Sequence, residues 1–149
     1  MLWRIVKLGK VGKEEIRSLS AEYQKRLSHA GRFEIIEVKD PGLERPEEIL
    51  KLCQMAPGNF VILLDERGQK FNSPKLAQFI QSKIESPHIK QITFLVGGAF
   101  GVGEEIRKSV HFIWSLSDLV FPNELAWLLL WEQLYRSWSI ITKNGYHHE

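Results

Sequence analysis

Three short stretches of this sequence carry residue types that could do chemistry. Asp65 closes the apolar run Phe60-Val61-Ile62-Leu63-Leu64 and is followed by Glu66-Arg67-Gly68. Gly97-Gly98-Ala99-Phe100-Gly101-Val102-Gly103 follows a second apolar run, and Tyr146-His147-His148-Glu149 ends the chain. Glycines let a backbone approach a ligand closely and take up positive φ, so exposed amides in the glycine run could bind the edges of a heterocycle. The run does not fit the common nucleotide motifs. Ala99 interrupts the G-x-G-x-x-G fingerprint, and Gly103 is followed by Glu104 and Glu105 where a phosphate loop needs Lys and Ser or Thr. Two acids at a helix start would occupy the anion site themselves and repel phosphate. Taken alone, the run is a ligand site or a tight turn. Asp65 and Glu66 form a catalytic pair, or Asp65 organises its loop while Glu66 is solvated. His147, His148 and Glu149 are metal ligands or simply a disordered tail; neighbouring histidines at a chain end seldom hold a metal without further ligands. Cys53 sits in an apolar helical stretch and reads as a packing residue.

These residues need elements to position them. Residues 2–8 read as a strand, and residues 14–28 as a helix with Ile16, Leu19, Tyr23 and Leu27 at spacings of three and four. The opposite face of that helix carries Arg17, Lys25 and Arg26. A strand at 33–38 and a helix at 46–55 follow, separated by Pro41-Gly42. Residues 60–65 and 91–96 are continuous apolar runs, the pattern of strands covered on both faces. Ser73-Pro74 starts a helix with serine at the cap and proline at the first position. A short helix at 104–109, a strand at 112–116 and a long helix at about 123–141 complete the chain. Strands and helices alternate, so the class is α/β, a mostly parallel sheet with helices on both faces. In such sheets ligands bind beyond the carboxyl ends of the strands, which is where Asp65 and the glycine run lie.

Composition narrows the function classes. The 149 residues suit one domain, 1–149, able to hide roughly 70% of its unfolded surface. With 44% hydrophobic and 26% charged residues the chain is an ordinary globular sequence. A net charge of +2 permits a nucleic-acid partner without arguing for one. The single cysteine precludes an internal disulfide and suits the cytoplasm. No stretch has the ~20 apolar residues a bilayer requires, and the charged N-terminus does not read as a signal peptide. The last helix is apolar nearly all round, with Leu125, Trp127, Leu130, Trp131 and Leu134 among its residues, so it buries itself in the core or against a second subunit.

Five segments together are more specific than any one of them. Leu64-Asp65-x-x-Gly68-x-x-x-x-Ser73, Phe94-Leu95-Val96-Gly97-Gly98-Ala99-Phe100-Gly101, Trp114-Ser115-Leu116-Ser117-Asp118-Leu119 with Pro122, Glu132-Gln133-Leu134-Tyr135-Arg136-Ser137-Trp138 and the terminal Tyr146-His147 resemble the ribosomal large subunit methyltransferase H family in order, spacing and total length. The resemblance implies a trefoil-knotted α/β fold of the SPOUT class, an exception to the near absence of knots. It implies a homodimer with its active site between subunits. It further implies that S-adenosylmethionine is used to methylate N3 of a pseudouridine in large-subunit (23S) ribosomal RNA on assembled ribosomes, with no membrane and no metal involved.

By position, the resemblance places the cofactor against Leu64, Gly97, Gly98, Leu116, Ser117, Asp118, Leu119, Val120 and Phe121. Tyr146 and His147 become the catalytic pair near the target base, and Arg136 and His148 face the RNA. N3 of pseudouridine must lose a proton, and histidine is the side chain suited to take it near neutral pH, which makes His147 the candidate base. The chain departs from the family pattern at Pro122-Asn123, where the family has Pro-His, at Trp127, where it has a basic residue, and at His148, where it has Arg or Lys. These departures motivate an alternative, a degenerate relative that binds ribosomes and cofactor without transferring a methyl group. An unrelated small-molecule α/β enzyme is the remaining rival.

Overall fold

The computed structural model describes residues 1–148; Glu149, considered above as a metal ligand, lies outside them. Five strands form one sheet: β1 (Leu2–Leu8), β2 (Arg32–Val38), β3 (Asn59–Lys70), β4 (Gln91–Val96) and β5 (Phe112–Ser115). Their order is β2-β1-β4-β3-β5 and every pairing is parallel. Parallel neighbours need crossovers, and helices α1 (Glu14–Arg26), α2 (Pro46–Cys53), α3 (Ser73–Glu85), α4 (Glu104–Ser109) and α5 (Asn123–Thr142) lie in the segments between and after them.

Period-two alternation along the strands feeds two cores. On one face Trp3, Ile5, Ile62, Phe94 and Trp114 meet Leu76 and Ile80 of α3 and Trp127, Leu130, Trp131 and Leu134 of α5. On the other, Val6, Leu8, Val61, Leu63 and Leu95 meet Ile49 and Cys53 of α2 and Ile106 of α4. The first core is rich in aromatics; Trp3 stacks on Phe33 at 5.4 Å, and Trp127 meets Trp131 edge-on at 5.5 Å. Trp127 is therefore buried inside this chain's own core. Burial pushes the Cys53 thiol up to about 12, the behaviour of a packing residue.

Two boundaries differ from expectation. The cap of α3 is Asn72, one residue before Ser73: its carboxamide accepts from the Lys75 amide at 2.9 Å, while the Ser73 hydroxyl donates to Gln133 at 2.9 Å. Residues 65–68 are not a free loop but an excursion within β3, because Leu64 and Gln69 both pair with Trp114. Gly68 permits this. A Cβ there would stand 2.7 Å from the Trp114 amide nitrogen, closer than side chains pack.

Candidate functional site

The carboxyl ends of β3, β4 and β5 open into a cleft of about 380 Å³, lined by residues 64–67, 96–102, 115–117 and 119–121 with Asn123 and Ala126. Each wall has a local cause. The glycine run turns where the Gly101 amide donates to the Gly98 carbonyl at 3.0 Å. Gly98 leaves room for what lies behind it: a Cβ would meet the Asp40 carboxylate, whose Cγ would be 2.9 Å away, and Asp40 would have to shift. The next wall is set by two serines. The Ser115 hydroxyl donates to the Ser117 carbonyl at 2.9 Å, and the Ser117 hydroxyl accepts from the Leu119 amide at 3.1 Å, an ST turn. That turn lifts Leu119 and Val120 to 68% and 78% exposure at the rim, where Phe100 is 83% exposed. Asp65 accepts from the Arg67 amide at 2.9 Å and pairs with its guanidinium, so it organises the excursion in β3.

A second structured cluster lies at the other end of α5. Lys143 adopts the left-handed conformation, the Asn144 amide donates to the Ser139 carbonyl at 3.1 Å, and the Asn144 carboxamide accepts from the Tyr146 amide at 3.1 Å, which folds the tail back along the helix. The Tyr146 ring then meets Tyr135 edge-on at 4.7 Å, and its hydroxyl lies 3.3 Å from that of Tyr23. Arg136 is held to Glu132 at 2.7 Å, covers the Tyr146 ring at 4.9 Å and reaches His147 Nδ1 at 3.0 Å. Arginine can only donate, so Nδ1 is the accepting nitrogen and a neutral ring carries its proton on Nε2. Burial, the Tyr23 hydroxyl and nearby Glu132 push the Tyr146 phenol up to about 12, so it stays protonated at neutral pH.

A third feature lies behind the cleft. Lys7, on the central part of the sheet, is 1% exposed and donates to the Leu8 carbonyl at 2.7 Å. Burial holds its ammonium below the ordinary lysine value, against the pull of Glu37, Asp40 and Glu124. Those acids brace the cleft from behind: Glu124, in the first turn of α5, accepts from the Gly12 and Lys13 amides. Glu37 accepts from the Val11 amide at 2.6 Å and pairs with Arg17 at 2.7 Å, chiefly through which its carboxyl is held below the usual range.

Most residues marked from the sequence line the cleft: Leu64, Gly97, Gly98, Leu116, Ser117, Leu119, Val120 and Phe121. Asp118 does not; its carboxylate turns outward to Lys70. Tyr146, His147 and Arg136 come together with one another but not with the cleft of the same chain, and His148 is exposed beside them. Asn123 lines the cleft and Arg136 holds the tail. At about 1.5 Å per residue they stand about 20 Å apart along α5. Sequence reasoning gave no part in the site to Ala126, Tyr23 or Tyr135. Among the described residues no group of three His, Cys, Asp or Glu side chains could hold a metal, and no helix is long and apolar enough to cross a membrane.

The chain is similar to known proteins over nearly its whole length. Residues 1–147 match a family described as "Predicted SPOUT methyltransferase". It is 36% identical to the ribosomal RNA large subunit methyltransferase H of Gloeobacter violaceus, covering 97% of each chain. It is also 36% identical to the protein of the same name from Acetivibrio thermocellus, covering 96% of this chain and 97% of that one. Among solved structures, a probable methylase family protein from Haemophilus influenzae superposes with a TM-score of 0.57 at 12% identity, over 97% of this chain and 67% of that one, a likeness of fold.

Proposed function

We propose, from the premise that this chain belongs to the SPOUT methyltransferase family, that it transfers a methyl group from S-adenosylmethionine to N3 of a pseudouridine in large-subunit ribosomal RNA. The observation that carries the reading is the cleft at the carboxyl ends of β3, β4 and β5, built from the segments that resemble the family's cofactor site. Its walls are backbone turns, apolar side chains and the carboxylates of Asp65 and Glu66, with the Arg67 guanidinium tied to Asp65, which suits a nucleoside bearing a sulfonium better than a nucleotide. A volume of about 380 Å³ is within the range of small-molecule sites. Two cores packed on one sheet support reading residues 1–149 as one domain, and the family resemblance brings with it the trefoil knot.

S-adenosylmethionine, when bound, supplies the methyl group and its own leaving group. The chain's residues then have to position two reactants and manage one proton. Gly97 and Gly98 let the backbone approach the cofactor, while Leu64 and Leu116 keep water from its edges. Asp118, turned to Lys70, holds the 115–121 turn from outside the cleft. Tyr146 stays protonated and serves as a donor and a platform. His147 Nδ1 is the unprotonated nitrogen, occupied by Arg136 in the chain alone. When RNA draws Arg136 and His148 to its backbone, Nδ1 is left to accept the proton from N3. Because Arg136, which holds the tail, stands about 15 to 20 Å along α5 from the cleft residues Ala126 and Asn123, the reading places the tail over the cleft of a second copy. The exposed Phe100, Leu119 and Val120 supply an apolar rim for that contact.

The test is transfer of labelled methyl from S-adenosylmethionine to intact ribosomes lacking the modification, with the labelled nucleotide mapped. Label on a large-subunit pseudouridine is expected; cofactor binding without label in ribosomal RNA would contradict the reading.

A further inference from the structure

Most arginines of this chain lie near a carboxylate, Arg4 and Arg32 sharing Glu34. Every arginine but one has a carboxylate oxygen between 2.7 and 3.7 Å away. The exception among the described residues is Arg26, the last residue of α1, which is exposed. Its guanidinium lies instead over two rings, 5.5 Å from the centroid of Tyr23 and 5.6 Å from that of Tyr135. Those same tyrosines hold Tyr146: Tyr23 by its hydroxyl, Tyr135 by its ring. Arg26 is thus built into the tail cluster from α1, without a counter-charge.

A guanidinium held near aromatic faces by cation–π attraction keeps N–H donors that a ligand can take up. The stack also fixes the side chain in advance, so less freedom is lost when a ligand arrives. A planar fork with that geometry and no carboxylate partner matches the two oxygens of a phosphate. Lys143, exposed in the returning tail, adds a positive group at the same end of the molecule, and the exposed His148 adds a hydrogen-bonding ring beside it.

We infer that Arg26, carried on the Tyr23–Tyr135 platform, binds a backbone phosphate of the RNA next to the nucleotide that the tail addresses. The inference rests on the ribosomal RNA reading above and extends its footprint from the tail onto α1. Arg26 touches no reacting atom, so its contribution lies in capture of the RNA.

The experiment compares the full chain with Arg26→Gln and Arg26→Lys, using ribosomes lacking the modification and labelled S-adenosylmethionine. Arg26→Gln is expected to raise the ribosome KM about tenfold, the loss of one charge-assisted contact. It should lower the slope of log affinity against log salt by about 0.7 to 0.9. Cofactor affinity and kcat at saturating ribosomes should hold. Arg26→Lys should keep the salt slope while losing part of the KM, because the charge survives and the stacked fork does not. A fall in kcat with KM and salt slope unchanged would overturn the inference, since that is the signature of a strap that only holds the tail. Unchanged kinetics in both variants would overturn it as well. If the unaltered chain labels no ribosome, the underlying reading fails and this one with it; if it labels ribosomes normally and Arg26→Gln does too, only the inference on Arg26 falls.

Discussion

The cleft and the tail cluster are built from opposite materials. The cleft is made of turns, glycines and apolar side chains, and its charged neighbours Asp65 and Asp118 are tied to Arg67 and Lys70. The tail cluster is made of tyrosines, arginines, an acid and a histidine, bonded to one another at 2.7 to 3.3 Å. One region can seat a nucleoside, with its lining carboxylate Asp65 tied to Arg67; the other gathers a histidine, a tyrosine and an arginine that can handle a proton and an anion. That α5 spaces Arg136 about 15 to 20 Å from the cleft residues Ala126 and Asn123 is the chief lesson of the fold. On the proposed reading the two regions are halves of one site, and a homodimer is the simplest way to join them.

Several changes should break or sharpen this division. The largest effect is expected from His147→Ala, which should lower turnover by about 10²- to 10⁴-fold while leaving cofactor binding intact. Equal loss of cofactor affinity would place His147 in the wrong region. Next, Gly98→Val should drive a side chain into the Asp40 carboxylate and weaken cofactor binding by up to roughly a hundredfold, read by calorimetry. Glu132→Gln should loosen Arg136 and with it His147 and Tyr146, reducing turnover about tenfold with cofactor affinity unchanged.

Lys7→Met tests the support behind the cleft. Burial lowers the Lys7 value from 10.5, so between the lowered value and 10.5 the unfolded chain binds more protons and stability climbs with pH. Below that window the buried ammonium is a constant cost. The variant should melt no lower than the parent at neutral pH, and the climb in alkali should flatten; a lower melting temperature would show that the attraction of Glu37, Asp40 and Glu124 outweighs desolvation. The smallest effect belongs to Cys53, which should resist alkylation in the folded chain at neutral pH.

Much of this was legible before the structure. Continuous apolar runs marked β3 and β4 as strands covered on both faces, and the two cores are the reason such runs exist. Glu104 and Glu105 read as a helix start, and α4 begins there. Residues 65–68 misled because Asp-Glu-Arg-Gly has no apolar alternation; the segment re-enters the sheet through Gly68 and the pairing of Gln69, a tertiary constraint. The outward turn of Asp118 depends on Lys70, far away in sequence. Residue types located the cleft and the tail separately, but only the course of α5 shows that they lie apart. Nor could the charge of Arg26 reveal that it would be the arginine left without an acid.

The most direct measurement is complementation between Gly98→Val and His147→Ala, each defective alone, mixed under conditions that exchange subunits. A site assembled from the cleft of one copy and the tail of another gives each mixed dimer one intact site. Methyl transfer to ribosomes should then return to about a quarter of the unaltered level, given random pairing. No recovery, with exchange verified by mass, would contradict the account and place cleft and tail of the same chain together during catalysis.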